Sequence, residues 1–494
     1  MNYTKKLIAF VLLFNLSYDN IAQPCKEIIG YFPNWQWYDR AKLVKPSTIA
    51  YSKYSIINYC FFKPELNGTI SNTDAWADEN LLQGQINWNT FPVSYYPNTS
   101  VIDLAHNAGT KVYVSIGGWT MSDNFPTIAA SPALRAKFAS ECNRLIKFYH
   151  FDGIDIDWEY PGYAAHSGTP NDKVNFTLFL QQIRDSLNAL GTLHGKTYKL
   201  SACFSADQVK MQDIQWNNVV PILDMINVMS YDFFGAWDCV ANHNSPLYST
   251  TIGDPTFNLN SAFLKLKNFY SVPPSKINLG VAFYGRSQMG ATGLYQSTNC
   301  NDNSVIFSDD LGTPLYYNIV KNMNLFNRFW DNVAQVPYLM GKSSTTANGT
   351  FVSYDDKQSI GLKASYIKSN NARGAIIWEI TGDYLETFPG SGIIAGTPLV
   401  DTLNQVFCNS STGINQLNEN VSIAVFPNPS NGNITIIAEA NILSVRVTDA
   451  IGGVIVEKPS LNEKTINLVI HSKGMYVISL STESGIINKK VLVE

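Results

Sequence analysis

The run Phe151-Asp152-Gly153-Ile154-Asp155-Ile156-Asp157-Trp158-Glu159 concentrates carboxylates at a spacing that chemistry can use. Side chains of a β-strand alternate between its faces, so Asp155, Asp157 and Glu159 project one way while Ile154, Ile156 and Trp158 project the other. Neighbours in such a file stand roughly 7 Å apart. On a half-exposed strand the file would be a solvated face. Helical patterns on both sides, and apolar strands recurring along the chain, point instead to a parallel strand buried on both faces. Carboxylates crowded there cannot all ionise cheaply, so at least one keeps its proton near neutral pH, as a general acid must.

Eight runs read as strands able to carry this row: Ile28–Pro33, Ser55–Phe62, Val112–Ile116, Phe151–Trp158, Lys199–Phe204, Met225–Tyr231, Ile277–Phe283 and Gly374–Trp378. The helix before the acidic strand opens with Ser131 as N-cap and Pro132 in its first turn, then repeats Leu134, Phe138 and Leu145. The one after it runs from about Asn171 to a stop at Gly191. Eight strands alternating with helices favour a closed TIM (β/α)8 barrel over an open doubly wound sheet, and no Gly-rich phosphate loop is present. The site of such a barrel lies at the C-terminal ends of its strands. Tyr31, Trp35, Trp119, Glu159, Tyr160, Met229, Tyr231, Asp232, Tyr284, Arg286 and Trp378 all fall at or just beyond such ends.

Composition narrows the function classes. With 494 residues, 45% hydrophobic, the chain can bury more than one core. A net charge of -4 gives no support for nucleic-acid or anionic-membrane binding. The 10 Trp, 26 Tyr and 26 Phe suit stacking on sugar rings. Seven cysteines lack any C-x-x-C pair and the six histidines are scattered, so no metal site and no cofactor are expected. The odd cysteine count leaves at least one free thiol, with Cys60 and Cys203 placed inside apolar strands. Lys5 and Lys6 before the apolar run Leu7 to Leu16, with Ala22 beyond, have the layout of a secretory signal peptide over residues 1–22. No stretch is long enough for a transmembrane helix.

The Asp152 to Glu159 octapeptide resembles the D-G-x-D-x-D-x-E signature of glycoside hydrolase family 18 chitinases. Ser115-Ile116-Gly117-Gly118 is similar to that family's S-x-G-G motif, and Met229-Ser230-Tyr231-Asp232 to its M-S-Y-D motif. The resemblance covers roughly residues 25 to 405. His150 stands where many members carry Gly, a position that His tolerates in a left-handed conformation. The resemblance implies substrate-assisted catalysis, in which the sugar's own 2-acetamido oxygen is the nucleophile and no protein nucleophile is needed. It makes Glu159 the acid/base, Asp157 the partner of the acetamido N–H, Asp155 its proton-sharing neighbour and Tyr231 a donor to the acetamido carbonyl. Asp232 would bind a sugar hydroxyl and Trp378 would floor the distorted sugar. Trp35 and Trp119 would serve neighbouring subsites, while Tyr31, Phe62, Tyr160, Met229, Trp237, Tyr284 and Arg286 would line walls. The second strand ends Tyr59-Cys60-Phe61-Phe62, and either Phe can face the site.

The expected organisation is a catalytic barrel over 23–407, a linker over 408–420 and a C-terminal β-sandwich over 421–494. An α+β insertion between the seventh and eighth strands, about 287–373, resembles the one in family members with deep clefts. Its Tyr354-Asp355-Asp356 and Ser359 match their Y-D-D-x-x-S ending, implying a groove wall and end-on attack. In the tail, Phe426-Pro427-Asn428-Pro429, Gly474-Met475-Tyr476 and Lys489-Lys490-Val491 resemble the sorting domain of the type IX secretion system, which implies contact with secretion machinery. The combined expectation is a secreted, monomeric chitinase acting on chitin and chito-oligosaccharides. A non-hydrolytic chitin-binding lectin and an endo-glycosidase on N-glycan cores remain as alternatives.

Overall fold

Strands that are apolar on both faces need cover on both, and the chain provides it by closing the sheet on itself. In the computed structural model, which describes residues 25–408, 423–449, 454–458, 461–482 and 485–494, eight parallel strands form a ring. They are β1 (Glu27–Pro33), β2 (Ile56–Pro64), β3 (Lys111–Gly117), β4 (Gly153–Asp157), β5 (Lys199–Ser205), β6 (Met225–Met229), β7 (Ile277–Ala282) and β8 (Gly374–Trp378). Ile29 of β1 stands opposite Ile56 of β2 on one side and Ile376 of β8 on the other, which closes the barrel. The expected signal peptide, and the expected linker from residue 409 on, lie outside the described residues.

Helix α1 (Pro132–Tyr149) starts as its sequence dictates, with Ser131 Oγ accepting from Leu134 N at 3.4 Å. It ends at His150, whose φ of 66° is the left-handed conformation anticipated there. Helix α2 (Asp172–His194) runs past the expected stop at Gly191 and is capped by Gly195 at φ 62°. Gly191 has a packing role instead. The returning chain crosses it, Lys196 N donates to Gly191 O at 3.0 Å, and a Cβ there would lie 2.5 Å from Lys196 O.

The insertion is an antiparallel sheet of Arg286–Met289, Thr350–Ser353, Val336–Gly341 and Phe326–Asp331, in that order, with a helix at Tyr316–Lys321. Its sheet ends at Ser353, short of the expected boundary near residue 373, because helix α3 (Lys357–Ser369) packs on β7 and β8 as a barrel helix. Asp356 caps α3, accepting from Gln358 N and Ser359 N at 2.9 and 3.2 Å. Asp355 holds the buried Lys363 ammonium at 2.7 Å on both oxygens. Thus the Y-D-D-x-x-S segment locks the insertion's last strand to the barrel. Cys239–Cys300 joins the loop after β6 to the insertion, and Cys25–Cys408 joins the two ends of the barrel unit. Cys60, Cys142 and Cys203 are free and buried.

Residues 423 onward form a separate strand-rich unit. Its longest strand, Asn433–Asp449, shifts register between Ile437 and Ile442. Its first half pairs with Ile423–Phe426 and Glu463–Val469, its second with Val454–Lys458 and Gly474–Thr482. Ile436, Val445, Ile466, Ile478 and Leu480 close one core between them.

Candidate active site

Inward-facing side chains build the site in layers. Ile29, Ile56, Tyr113, Met225 and Ile376 fill the barrel toward the N-terminal ends of its strands. Above them Asp155 is wholly buried. Its Oδ2 accepts from Tyr31 Oη at 2.9 Å and Ser115 Oγ at 2.8 Å, and its Oδ1 from Ser201 Oγ at 2.5 Å and Asn227 Nδ2 at 3.1 Å. Burial raises the Asp155 carboxyl above its usual range, while the donors Ser201, Ser115 and Tyr31 favour the anion and hold part of that rise back.

Asp157 comes next and is also buried. Burial, then the Glu159 charge, then the Asp155 charge push it well above the ordinary carboxylate range. Its Oδ1 accepts no hydrogen bond from any described residue. Buried carboxylate oxygens are normally paired, so this one has room to accept a further donor.

Glu159 stands at the mouth, partly exposed. Burial raises its pKa to about 7, against a hydrogen bond from Tyr160 and with help from the Asp232 charge. Its main chain is pinned: Glu159 N donates to Ser122 Oγ at 2.9 Å and its carbonyl lies 2.7 Å from His166 Nδ1. A general acid with this pKa is protonated below pH 7 and spent above it, so kcat/KM should fall with an apparent pKa of about 7 on the alkaline side. The same shift ties stability to pH. A carboxyl raised from 4.5 to about 7 lends stability that is complete below 4.5 and is lost as pH rises through 7. Rates from pH 4 to 9 beside melting temperatures check both limbs; a flat alkaline side would contradict the assignment.

The S-x-G-G segment leads β3 past this row. Gly117 has φ 114°, and a Cβ on it would collide with Asp157 O. A Cβ on Gly118 would sit 2.8 Å from the Phe61 ring. Only glycine fits either place.

Aromatic rings make the walls. Trp378 at the end of β8 stacks with Phe61, centroids 5.7 Å apart at 20°, and meets Tyr31 at 5.8 Å and Trp35 at 6.4 Å. Phe62, expected at the site, is 1% exposed and packs outside the barrel on Tyr59 and Tyr149. The correction has a physical cause. Strict alternation places Ile56, Asn58, Cys60 and Phe62 inward, but the pairing of β2 with β3 shifts between Tyr59 and Phe62. That irregularity turns Phe61 in and Phe62 out. Phe61→Leu should therefore lower kcat/KM up to about tenfold through the lost ring stack. Phe62→Ala should instead cost about 3–5 kcal/mol of stability with the chemistry intact, read by urea unfolding.

Tyr31 is likewise not a wall residue. It is 1% exposed, and its hydroxyl is spent on Asp155 and on Cys203 Sγ at 2.9 Å, so it positions the acid row. The other expected residues reach the mouth. Tyr231, whose hydroxyl feels the Asp157 charge, lies 6.1 Å from the Tyr284 ring. Met229 belongs to the same inner cluster. Asp232 Oδ1 accepts from Tyr284 Oη at 2.5 Å and from Arg286 Nε and Nη2 at 2.9 and 2.7 Å, and the Arg286 guanidinium sits 4.9 Å over Trp237. Trp119 stacks on His166 at 4.1 Å. Trp35, Trp119 and Trp237 remain 45%, 51% and 56% exposed, open to a ring-shaped ligand.

Sequence reasoning left open which of Phe61 and Phe62 faces the site, and it missed the polar cradle of Ser201, Asn227 and Cys203. A polar side chain at an inward position of an otherwise apolar strand was the available signal for Ser201 and Asn227. Residues 27–383 match the family described as "Glycosyl hydrolases family 18". The chain belongs to that family.

This family 18 hydrolase is 33% identical to "Chitinase A1" of Niallia circulans over 406 residues, 73% of this chain and 57% of that one. It is 31% identical to "Endochitinase 1" of Metarhizium robertsii over 367 residues, 72% of this chain and 80% of that one. Among solved structures it resembles "Chitinase ChiA74 from Bacillus thuringiensis", with TM-score 0.66 and 26% identity over 95% of this chain and 85% of that one. The "Ostrinia furnacalis Group IV chitinase in complex with allosamidin" matches with TM-score 0.66 and 26% identity over 77% and 98%. The hydrolase also carries a tail, residues 424–494, that matches the "Secretion system C-terminal sorting domain". That tail marks it for export by the type IX route, outside the cell or to its surface. Among the described residues no helix is long and apolar enough to cross a membrane.

Proposed function

We propose that the protein is a chitinase that hydrolyses β-1,4 links between N-acetylglucosamine units with retention, using the substrate's acetamido group as nucleophile. The observation that carries this reading is the unpartnered Asp157 oxygen between a fully donated Asp155 and a Glu159 that holds its proton to about pH 7. Protonated Glu159 gives its proton to the glycosidic oxygen, the C1–O bond breaks, and its electron pair leaves on the departing sugar. The acetamido carbonyl oxygen attacks C1 and forms an oxazolinium ion. Asp157 accepts the acetamido N–H, and a proton shared with Asp155 lets it take negative charge as positive charge develops. Tyr231 donates to the acetamido carbonyl while Trp378 supports the distorted ring. The Glu159 carboxylate then takes a proton from water, whose oxygen attacks C1 and reopens the ring on its original face. Trp35, Trp119 and Trp237 fit sugar rings on either side, and the insertion supplies one wall of the groove.

Chito-oligosaccharides incubated with the full chain should release short oligomers that carry the β-anomer before mutarotation, read by proton NMR. Cello-oligosaccharides, which lack the acetamido group, should be inert. Binding without release, initial α-anomer, or comparable cleavage of cello-oligosaccharides would each overturn the reading.

A further inference from the structure

At the opposite end of the barrel from Glu159, a second cavity of about 790 Å³ opens under the N-terminal ends of β3, β4 and β5. Buried Tyr113, Ile146, Phe151 and Tyr198 form its floor. Its rim carries Lys111, Lys147, Lys196 and Lys199, together with His106, His150 and His194, against one carboxylate, Asp152. A smaller space of about 170 Å³ adjoins it and shares His106, Lys111, Asp152 and Lys196. This is an unusual place for so much positive charge in a chain whose net charge is -4.

The rim lysines could serve internal partners, and some do: Lys111 lies 3.4 Å from Asp152, and Lys199 lies 3.0 Å from Asp224. Asp152 is already satisfied by His106 Nε2 at 2.8 Å and Val112 N at 2.9 Å. The Lys147 and Lys196 ammonium groups make no hydrogen bond or ion pair with any described residue. The cations could also offset the C-terminal ends of α1 and α2, which finish at this rim. Each helix end carries roughly half a negative charge, about one in all. Four lysines against Asp152, Asp224 and both helix ends still leave an excess of about one positive charge. Neither internal partners nor helix ends use up the charge.

We propose that this cavity is an anion-binding site for a phosphate or sulfate ester borne on a sugar ring. The volume lies within the range of small-ligand pockets. The buried Tyr113, Phe151 and Tyr198 give the cavity an apolar aromatic base on which a ring body can rest, while the free Lys147 and Lys196 ammonium groups meet the ester oxygens. Seven residues of largely extended chain, about 20 Å, separate Asp152 at this site from Glu159, so a ligand held here leaves the catalytic mouth open.

Isothermal titration of the full chain at fixed ionic strength, with glucose 6-phosphate, glucose 6-sulfate, inorganic phosphate and unmodified glucose, tests the site. Either or both sugar esters should bind, which also distinguishes phosphate from sulfate as the source of the anion. Inorganic phosphate should bind more weakly and glucose not at all. Lys147→Ala combined with Lys196→Ala should weaken ester binding about tenfold or more. Both positions are exposed, so melting temperature and hydrolysis of chito-oligosaccharides should stay as in the parent protein. Absence of ester binding, equal affinity for inorganic phosphate, or unchanged affinity in a folded double variant would overturn the proposal. Because hydrolysis is read separately, failure here leaves the catalytic reading standing, and failure of catalysis leaves this site testable.

Discussion

Glu159→Gln is expected to lower kcat/KM on chito-oligosaccharides by about 10³–10⁴-fold while oligosaccharide affinity stays within a few-fold. The amide keeps the size of the side chain and its place between Tyr160 and the Asp232 charge, but has no proton to give. In the proposed mechanism one residue serves both steps, so leaving-group departure loses its acid and water attack loses its base. Stability moves the opposite way. At pH 8 the parent carries a charge that burial disfavours, whereas the amide is neutral at every pH, so the variant should melt higher than the parent at pH 8 and nearer to it at pH 4. Single-turnover rates, product-free binding by calorimetry and paired melting curves measure these effects. A variant within tenfold of the parent would remove Glu159 from the mechanism.

The acid row was legible because two simple periodicities coincide in it. Strand alternation puts Asp155, Asp157 and Glu159 on one face, and apolar residues on the other face rule out a free surface once helices flank it. The eight barrel strands were legible for the same reason: each is a run of apolar residues, and the runs alternate with helices such as α1, which opens on Ser131 and Pro132. The misreadings cluster where local pattern yields to tertiary packing. Phe61 replaced Phe62 at the site because pairing between β2 and β3 slips by a residue, and no periodicity in Tyr59-Cys60-Phe61-Phe62 announces a slip. Gly191 looked like a helix stop, yet its lack of a side chain admits the returning chain at Lys196. Tyr31 looked like a wall because it ends near a strand tip, but its hydroxyl points down to Asp155. The cradle of Ser201, Asn227 and Cys203 is assembled from strands distant in sequence, so its convergence on one carboxylate exists only in the fold.

Asp157→Asn should lower kcat by about 10²–10³-fold with little change in KM, the size expected for losing one preorganised electrostatic partner of a transition state. In the resting protein, burial and the charges of Glu159 and Asp155 keep Asp157 protonated well above the usual carboxylate range. An asparagine therefore mimics the resting state and disturbs substrate binding little. It cannot become an anion as the oxazolinium forms, and that is where its absence is felt. Two readouts separate this role from a structural one. The alkaline limb should stay near pH 7, because burial is the leading cause of the Glu159 shift and is untouched. Affinity for a thiazoline analogue of the cyclic intermediate should fall in step with kcat, while affinity for the intact oligosaccharide holds. The double variant with Glu159→Gln should lose less than the product of the two single losses, since both residues act on the same bond-breaking event. Full multiplicativity, or equal weakening of analogue and substrate, would mean that Asp157 only props the barrel open and takes no part in steering the acetamido group.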